Sequence, residues 1–336
     1  MDKLPSVLYA VVLSQELKTS RVGKLFWKVI LKTPSGIMAA NMWDAPANAE
    51  MNPNFPHTND IIEITGFDDQ RETKGNIVIR GFNLTDKEHV PEYAQVMFDV
   101  PKASEEEMSE AMAVILDDTE WQDINHYKFA MNCLEHLDIK KFKMCPAGER
   151  VHHSYQGGLV IHTAEVLGLC RSVVKDIVKK YSFINADVLR VAAILHDLGK
   201  LWTYCINESG IAEILPLEKT IGHIYYGMKV VETALNDMRR SASPSAIDVG
   251  QDFIDEVLHC IASHHGELSY GSIVKVQSIE AGILSKMDYI SARNGMMESQ
   301  LSQLARTGSK IKDAIIVYGD RYFQTMGMKE YLEKLS

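Results

Sequence analysis

The sequence predicts an α+β multidomain chain, with a small five-stranded β-barrel at the N-terminus and an all-α domain after it. Three observations carry this. Up to about residue 90 the chain reads as short runs of two-residue alternation broken by turn residues. Beyond it, apolar residues recur at helical spacing. The 336 residues suffice for two domains at roughly 100–200 residues each.

Taken in order, the candidate strands are 7–13, 24–32, 37–43, 60–67 and 76–82. Pro34, Ser35 and Gly36 join the second and third as a tight hairpin. Residues 52–56 (Asn-Pro-Asn-Phe-Pro) form a longer loop before the fourth. Five short strands with one long connection suit an OB-type barrel over residues 1–90. In the second strand, Leu25, Trp27, Val29 and Leu31 point one way and are expected to face the core. Lys24, Phe26, Lys28, Ile30 and Lys32 point the other way, a basic face bearing an aromatic, as a single-strand binding groove requires. Lys18 and Arg21 bring residues 18–32 to five basic side chains and no acid. The competing explanation is that lysines keep an exposed strand face soluble. Lys24, Phe26, Lys28 and Lys32 are the candidate nucleic-acid contacts.

Residues 91–150 read as a helical connector, with Ser104 capping a helix whose first turn is Glu105, Glu106 and Glu107. His126 and His136 are expected to be surface or packing histidines. From residue 151 to 298 every segment looks helical, and each helix brings a candidate ligand beside its apolar stripe. His162 lies in line with Val166, Leu169 and Val173. Asn185 caps the next helix, whose Val188, Leu189, Ala192 and Leu195 lead to His196 and Asp197. Thr220 is the expected cap of the helix bearing His223. Phe253, Val257 and Ile261 lead to His264 and His265, and Ile283, Leu284 and Met287 adjoin Asp288. One histidine so placed is more often a satisfied core residue than a ligand. Five helices doing so together would bury charged or unpaired groups at several kcal/mol, which a divalent metal resolves. Imidazole and carboxylate suit manganese, iron or zinc. Without a short tetrahedral zinc spacing, the pattern suggests a five- or six-coordinate pair of metals bridged by Asp197. Residues 299–336 are expected to be a C-terminal helical extension.

A net charge of −10 lowers the expectation of tight duplex binding, but residues 1–90 hold 10 basic and 11 acidic side chains, which leaves −9 for the rest. An acidic domain holding two divalent cations tolerates a phosphodiester substrate, because the metals supply positive charge. Five cysteines without a CxxC pair argue for free thiols and against a cysteine zinc site. No apolar run approaches the roughly 18 residues of a membrane span, and the first five residues lack a signal-peptide layout. A cytoplasmic protein is expected, with a homo-oligomer left open.

The set His162, His196-Asp197, His223, His264 and Asp288 resembles the HD superfamily of metal-dependent phosphohydrolases. More narrowly, the chain is similar to YhaM-type 3′–5′ exoribonucleases, which carry an OB-fold before the HD domain. That likeness rests on Gly23 to Trp27, Pro34-Ser35-Gly36 and Asn41 to Asp44, on Val151 to Leu159 before His162, and on Ser263-His264-His265-Gly266. The resemblance implies metal ligation by those six residues, with His265 instead of or alongside His264. It also implies two divalent cations, manganese foremost with iron, cobalt or zinc as alternatives, and cleavage of single-stranded RNA, with DNA as a second candidate. Asp197 and Lys200 are the expected catalytic pair, Lys200 neutralising a phosphate oxygen or assisting the leaving group. A helix-terminal cation is its bland alternative. His152 and His153 are candidate substrate contacts, with plain surface histidines the equal alternative. The rival activity is an HD phosphohydrolase acting on nucleotides, dinucleoside polyphosphates or cyclic dinucleotides. A catalytically silent binding protein is the reading from another class.

Overall fold

The computed structural model describes residues 4–43, 45–98, 102–149, 153–207, 210–240, 248–306, 314–317, 320–323 and 325–335. The chain divides into two compact units, one of residues 1–99 with most of the chain beyond 300, the other of residues 100–299.

In the first unit, β1 (Leu8–Thr19), β2 (Leu25–Thr33), β3 (Gly36–Met42), β4 (Ile61–Gln70) and β5 (Asn76–Thr85) form a closed barrel of order β1-β2-β3-β5-β4. A one-turn helix, α1 (Arg71–Lys74), joins the last two strands. All pairings are antiparallel except β3 with β5, where closure brings two strands side by side in parallel. This order is consistent with the expected OB-type barrel. Leu8, Ala10, Val12, Trp27, Val29, Leu31, Ile62, Ile64, Ile77 and Ile79 fill it.

Two details depart from expectation. Leu25 does not join the core and is 43% exposed, because it pairs with Thr19 at the open end of the ribbon. β1, β4 and β5 also outrun their expected ends. Their extra residues (Ser14 to Thr19, Asp68 to Gln70, Asn83 to Thr85) are largely polar, so pairing extends where apolar alternation stops. Among the described residues beyond 306, the expected helical extension is mixed. A two-stranded sheet of β8 (Ala314–Val317) and β9 (Asp320–Phe323) precedes α12 (Met326–Leu335). The Ala-Ile-Ile-Val run favours strand over helix through its β-branched side chains.

In the second unit, α2 (Glu105–Ile115), α3 (Ile124–Glu135) and α4 (Ile139–Met144) are not a free-standing connector. They pack on α5 (Gly158–Lys180), α6 (Ala186–Leu195) and α9 (His223–Arg240) and share their core, with Ile115, Phe129 and Phe142 fully buried. The Ser104 capping box forms as expected, each partner donating its backbone N–H to the other's side chain. α7 (Lys200–Thr203), the short hairpin β6 (Tyr204–Ile206) with β7 (Ala212–Ile214), and α8 (Pro216–Thr220) lie between α6 and α9 in the chain. α10 (Gln251–Ser263) and α11 (Ile279–Arg306) complete the unit's helices. Thr220 ends α8 and returns its hydroxyl to the Pro216 and Leu217 carbonyls, so it is not the cap of α9. Gly222, at φ +86°, makes the turn instead.

Asp187 ties the added helices to α6. Fully buried, it accepts the backbone N–H groups of Gln122 and Asp123 and bonds of 2.9 Å from His126 Nδ1 and Arg190. His126 stacks flat on Phe253 at 3.7 Å, a packing histidine as expected. Among the described residues no helix is long and apolar enough to cross a membrane, and all five cysteines are free.

Candidate metal centre

The last turn of α6 presents the metal motif. His196 stands at the helix C-terminus, where its Nδ1 donates to the Ala193 carbonyl at 2.9 Å. The end of α10 repeats the device, with His264 Nδ1 donating to the Ile261 carbonyl at 2.7 Å. In both, a free terminal carbonyl is satisfied and the ring is turned so that Nε2 points beyond the helix end.

The other three imidazoles are fixed by the same rule. His223, the first residue of α9, donates Nδ1–H to Glu218 Oε1 at 2.7 Å. His265 donates to the Tyr270 carbonyl at 2.8 Å. His162, one turn into α5, donates to Ser291 Oγ at 3.0 Å, since that hydroxyl gives its own proton to Glu165 Oε2 at 2.7 Å. With every Nδ1 held by an outer acceptor, the five rings direct Nε2 inward, the arrangement that outer hydrogen bonds enforce at metal-binding histidines.

Asp197 stands between two groups of these nitrogens. Its Oδ2 lies 3.3 Å from His162 Nε2 and 3.4 Å from His196 Nε2, and Asp288 Oδ1 is 3.1 Å from His162 Nε2. Its Oδ1 lies 3.5 Å from both His223 Nε2 and His264 Nε2. His265 completes the second group, its ring 5.1 Å from that of His223 and 4.3 Å from that of His264. The structure therefore brings both His264 and His265 to the site. His162, His196 and Asp197 form one group able to hold a metal ion, and His223, His264 and His265 form another.

Divalent metal fits these residues. Asp197 Oδ1, His223 Nε2 and His264 Nε2 are buried acceptors without a hydrogen-bond partner among the described residues. Converging acceptors repel unless a cation lies between them. Burial lowers His196 to about 4 and His265 to about 3, so both rings stay neutral and able to coordinate. His162 moves the other way. Burial opposes its charge, but the hydrogen bonds it donates to Asp197 and Asp288 outweigh this and hold it at about 9. The carboxylates that stabilise an extra proton there would stabilise a metal cation equally.

Lys200 has a partner inside the site. It is the first residue of α7, only 7% exposed, with Nζ donating to Asp197 Oδ2 and to the Ala147 carbonyl, each at 2.6 Å. Burial works against its charge, yet Asp197 keeps it above the usual lysine value. Here the ammonium is bonded to the central carboxylate, where it supplies charge and orientation. His153 departs from expectation. It is buried and bonded to Tyr155 and to Glu165 Oε2, behind His162, and is not displayed for substrate. His152 lies outside the described residues.

Gly199 shows how closely the motif approaches α9. A Cβ there would sit 1.8 Å from the His223 carbonyl oxygen and 2.7 Å from Gly227 N. Gly199→Ala is expected to push the start of α9 away, destabilise the fold by about 1–3 kcal/mol or more, and weaken metal uptake by displacing His223. A thermal melt and a metal titration within error of the unsubstituted protein would contradict this.

Residues 159–293 match the family model described as HD domain, a span that includes all seven candidate ligands. No solved structure matches the chain.

Proposed function

Starting from an HD domain, and so from a metal-dependent hydrolase, we propose that the protein is a 3′–5′ exonuclease cleaving single-stranded RNA, with single-stranded DNA as a second substrate. This extends the resemblance to YhaM-type exoribonucleases. His162, His196, Asp288 and Asp197 Oδ2 would hold one divalent cation. His223, His264, His265 and Asp197 Oδ1 would hold the other, with manganese the first candidate. When bound, the pair would lower the pKa of a water toward neutrality and offset charge on the phosphate. The chain's own part is to fix the five rings through Nδ1 and to steady the shared carboxylate with Lys200.

One observation favours a polynucleotide. On the outer face of β2, Phe26 stacks on Trp43 at 4.5 Å with 27° between planes, and Lys24 lies 5.8 Å over the Trp43 ring. Lys28 is exposed on the same face. Ring faces beside cations bind unpaired bases irrespective of sequence. A hydrolase of free nucleotides has no use for such a surface. The small-molecule reading keeps one support, because Glu16 pairs with Lys28 across the strands and with Lys18 at 3.0 Å and dilutes the positive face.

The test is a time course with manganese on 5′-labelled single-stranded RNA, matching DNA, and a panel of nucleotides and cyclic dinucleotides. A ladder shortening from the 3′ end supports the proposal. Intact oligonucleotides beside hydrolysed nucleotides would replace it with the rival. Phe26→Ala and Trp43→Ala are each expected to weaken RNA binding by about 1–3 kcal/mol, the range for one stacked base. Hydrolysis of a small phosphodiester should be untouched, and unchanged RNA affinity in both variants would remove the barrel from the account.

A further inference from the structure

The two halves of the metal centre are unequal in charge. The half built from His162 and His196 faces carboxylate oxygens of both Asp197 and Asp288. Among the described residues, the Nε2 atoms of the half built from His223, His264 and His265 face one carboxylate oxygen, Asp197 Oδ1. Yet this poorer half contains the one imidazole among the five whose Nδ1 donates directly to a carboxylate, Glu218 at 2.7 Å. His196, His264 and His265 donate to backbone carbonyls, and His162 to a serine hydroxyl.

We infer that Glu218 is a positioning residue that gives the three-histidine half its second negative charge, one bond removed from the cation. The inference rests on the ligand assignment proposed above. Glu218 lies five residues before His223, on α8, with its side chain 17% exposed, so little water screens it. An imidazole donating to a carboxylate is a stronger base at Nε2 and is held in one orientation, and loss of such a partner typically weakens metal binding about 10–100-fold. Ser291 and Glu165 provide the internal comparison. They stand behind His162 in the half that already faces two carboxylates.

The experiment is a manganese titration, by calorimetry, of the full-length protein stripped of metal. Two binding steps are expected for the unsubstituted chain. Glu218→Ala should weaken one step about 10–100-fold and leave the other in place, and Glu218→Gln, which keeps the acceptor without the charge, should fall between. Ser291→Ala should leave the Glu218-sensitive step unchanged. A Glu218→Ala protein with both steps intact, or with both weakened equally, overturns the inference. So does a lowered melting temperature of the metal-free protein without a change in either affinity, the mark of a purely structural role. No uptake by the unsubstituted chain would overturn the ligand assignment itself, and the inference with it.

Discussion

An Asp197→Ala variant is expected to lose hydrolysis by about 1,000-fold or more, about 4 kcal/mol of transition-state stabilisation. Its two oxygens face different groups of imidazoles, so one truncation damages both halves at once. Removing Asp288 or His265 touches only one. The carboxylate is also the charge partner of Lys200, at 2.6 Å with both side chains under a tenth exposed. Leaving that ammonium buried and unpaired should destabilise the metal-free protein by about 3–5 kcal/mol. Asp197→Asn separates the two effects, because its amide oxygen still accepts from Lys200 while the second anionic oxygen is gone. It should fold more stably than the alanine variant and remain almost as inactive. Alanine-variant turnover within tenfold of the original, in protein shown by circular dichroism to be folded, would mean that Asp197 does not bridge the site.

The second large effect lies away from the metals. Asp187→Ala is expected to lower stability by about 4 kcal/mol, because it strands the buried Arg190 guanidinium without its carboxylate and removes the acceptor of the part-buried Gln122 and Asp123 N–H groups. For a unit of roughly 200 residues this is a fall in melting temperature of about 8–16 °C. His126 would lose its acceptor while keeping its stack on Phe253. Since α3 and the segment before it are held to α6 through this carboxylate, their amide hydrogens should exchange sooner than those of α5. A shift below about 2 °C would show that the network contributes little.

How far the sequence reveals these features depends on whether a residue's partner is local. The barrel was legible because alternation in Lys24 to Lys32 and the turn at Pro34-Ser35-Gly36 are local signals, and Trp27, Val29 and Leu31 do face its core. The position of Leu25 was not, because strand position, rather than alternation, decides whether the last inward residue is covered. Each candidate ligand adjoined an apolar stripe, and His162, His196, Asp197, His223, His264, His265 and Asp288 do come together. The residues that orient them are harder to read from the sequence. Ser291 follows Asp288 by three positions and Glu165 follows His162 by three, a spacing that places them on the ligand's own helix face. Glu218 is separated from His223 by the turn at Gly222 and carries no periodic signal. For Lys200, proximity in sequence to a metal motif suggests a substrate phosphate and says nothing of Asp197 as its partner. Only the fold shows its ammonium turned onto Asp197. Asp187, a charged residue in the first turn of α6, reads as an ordinary helix-dipole acid until its partners from the α2–α3 segment are seen.

The most direct test of the central claim, that one aspartate joins two metal positions, is an anomalous difference map from crystals grown with manganese, collected at the manganese edge. Two peaks are expected on opposite sides of Asp197. One should lie among His162, His196 and Asp288, the other among His223, His264 and His265. A single peak, or density away from Asp197, would contradict the account.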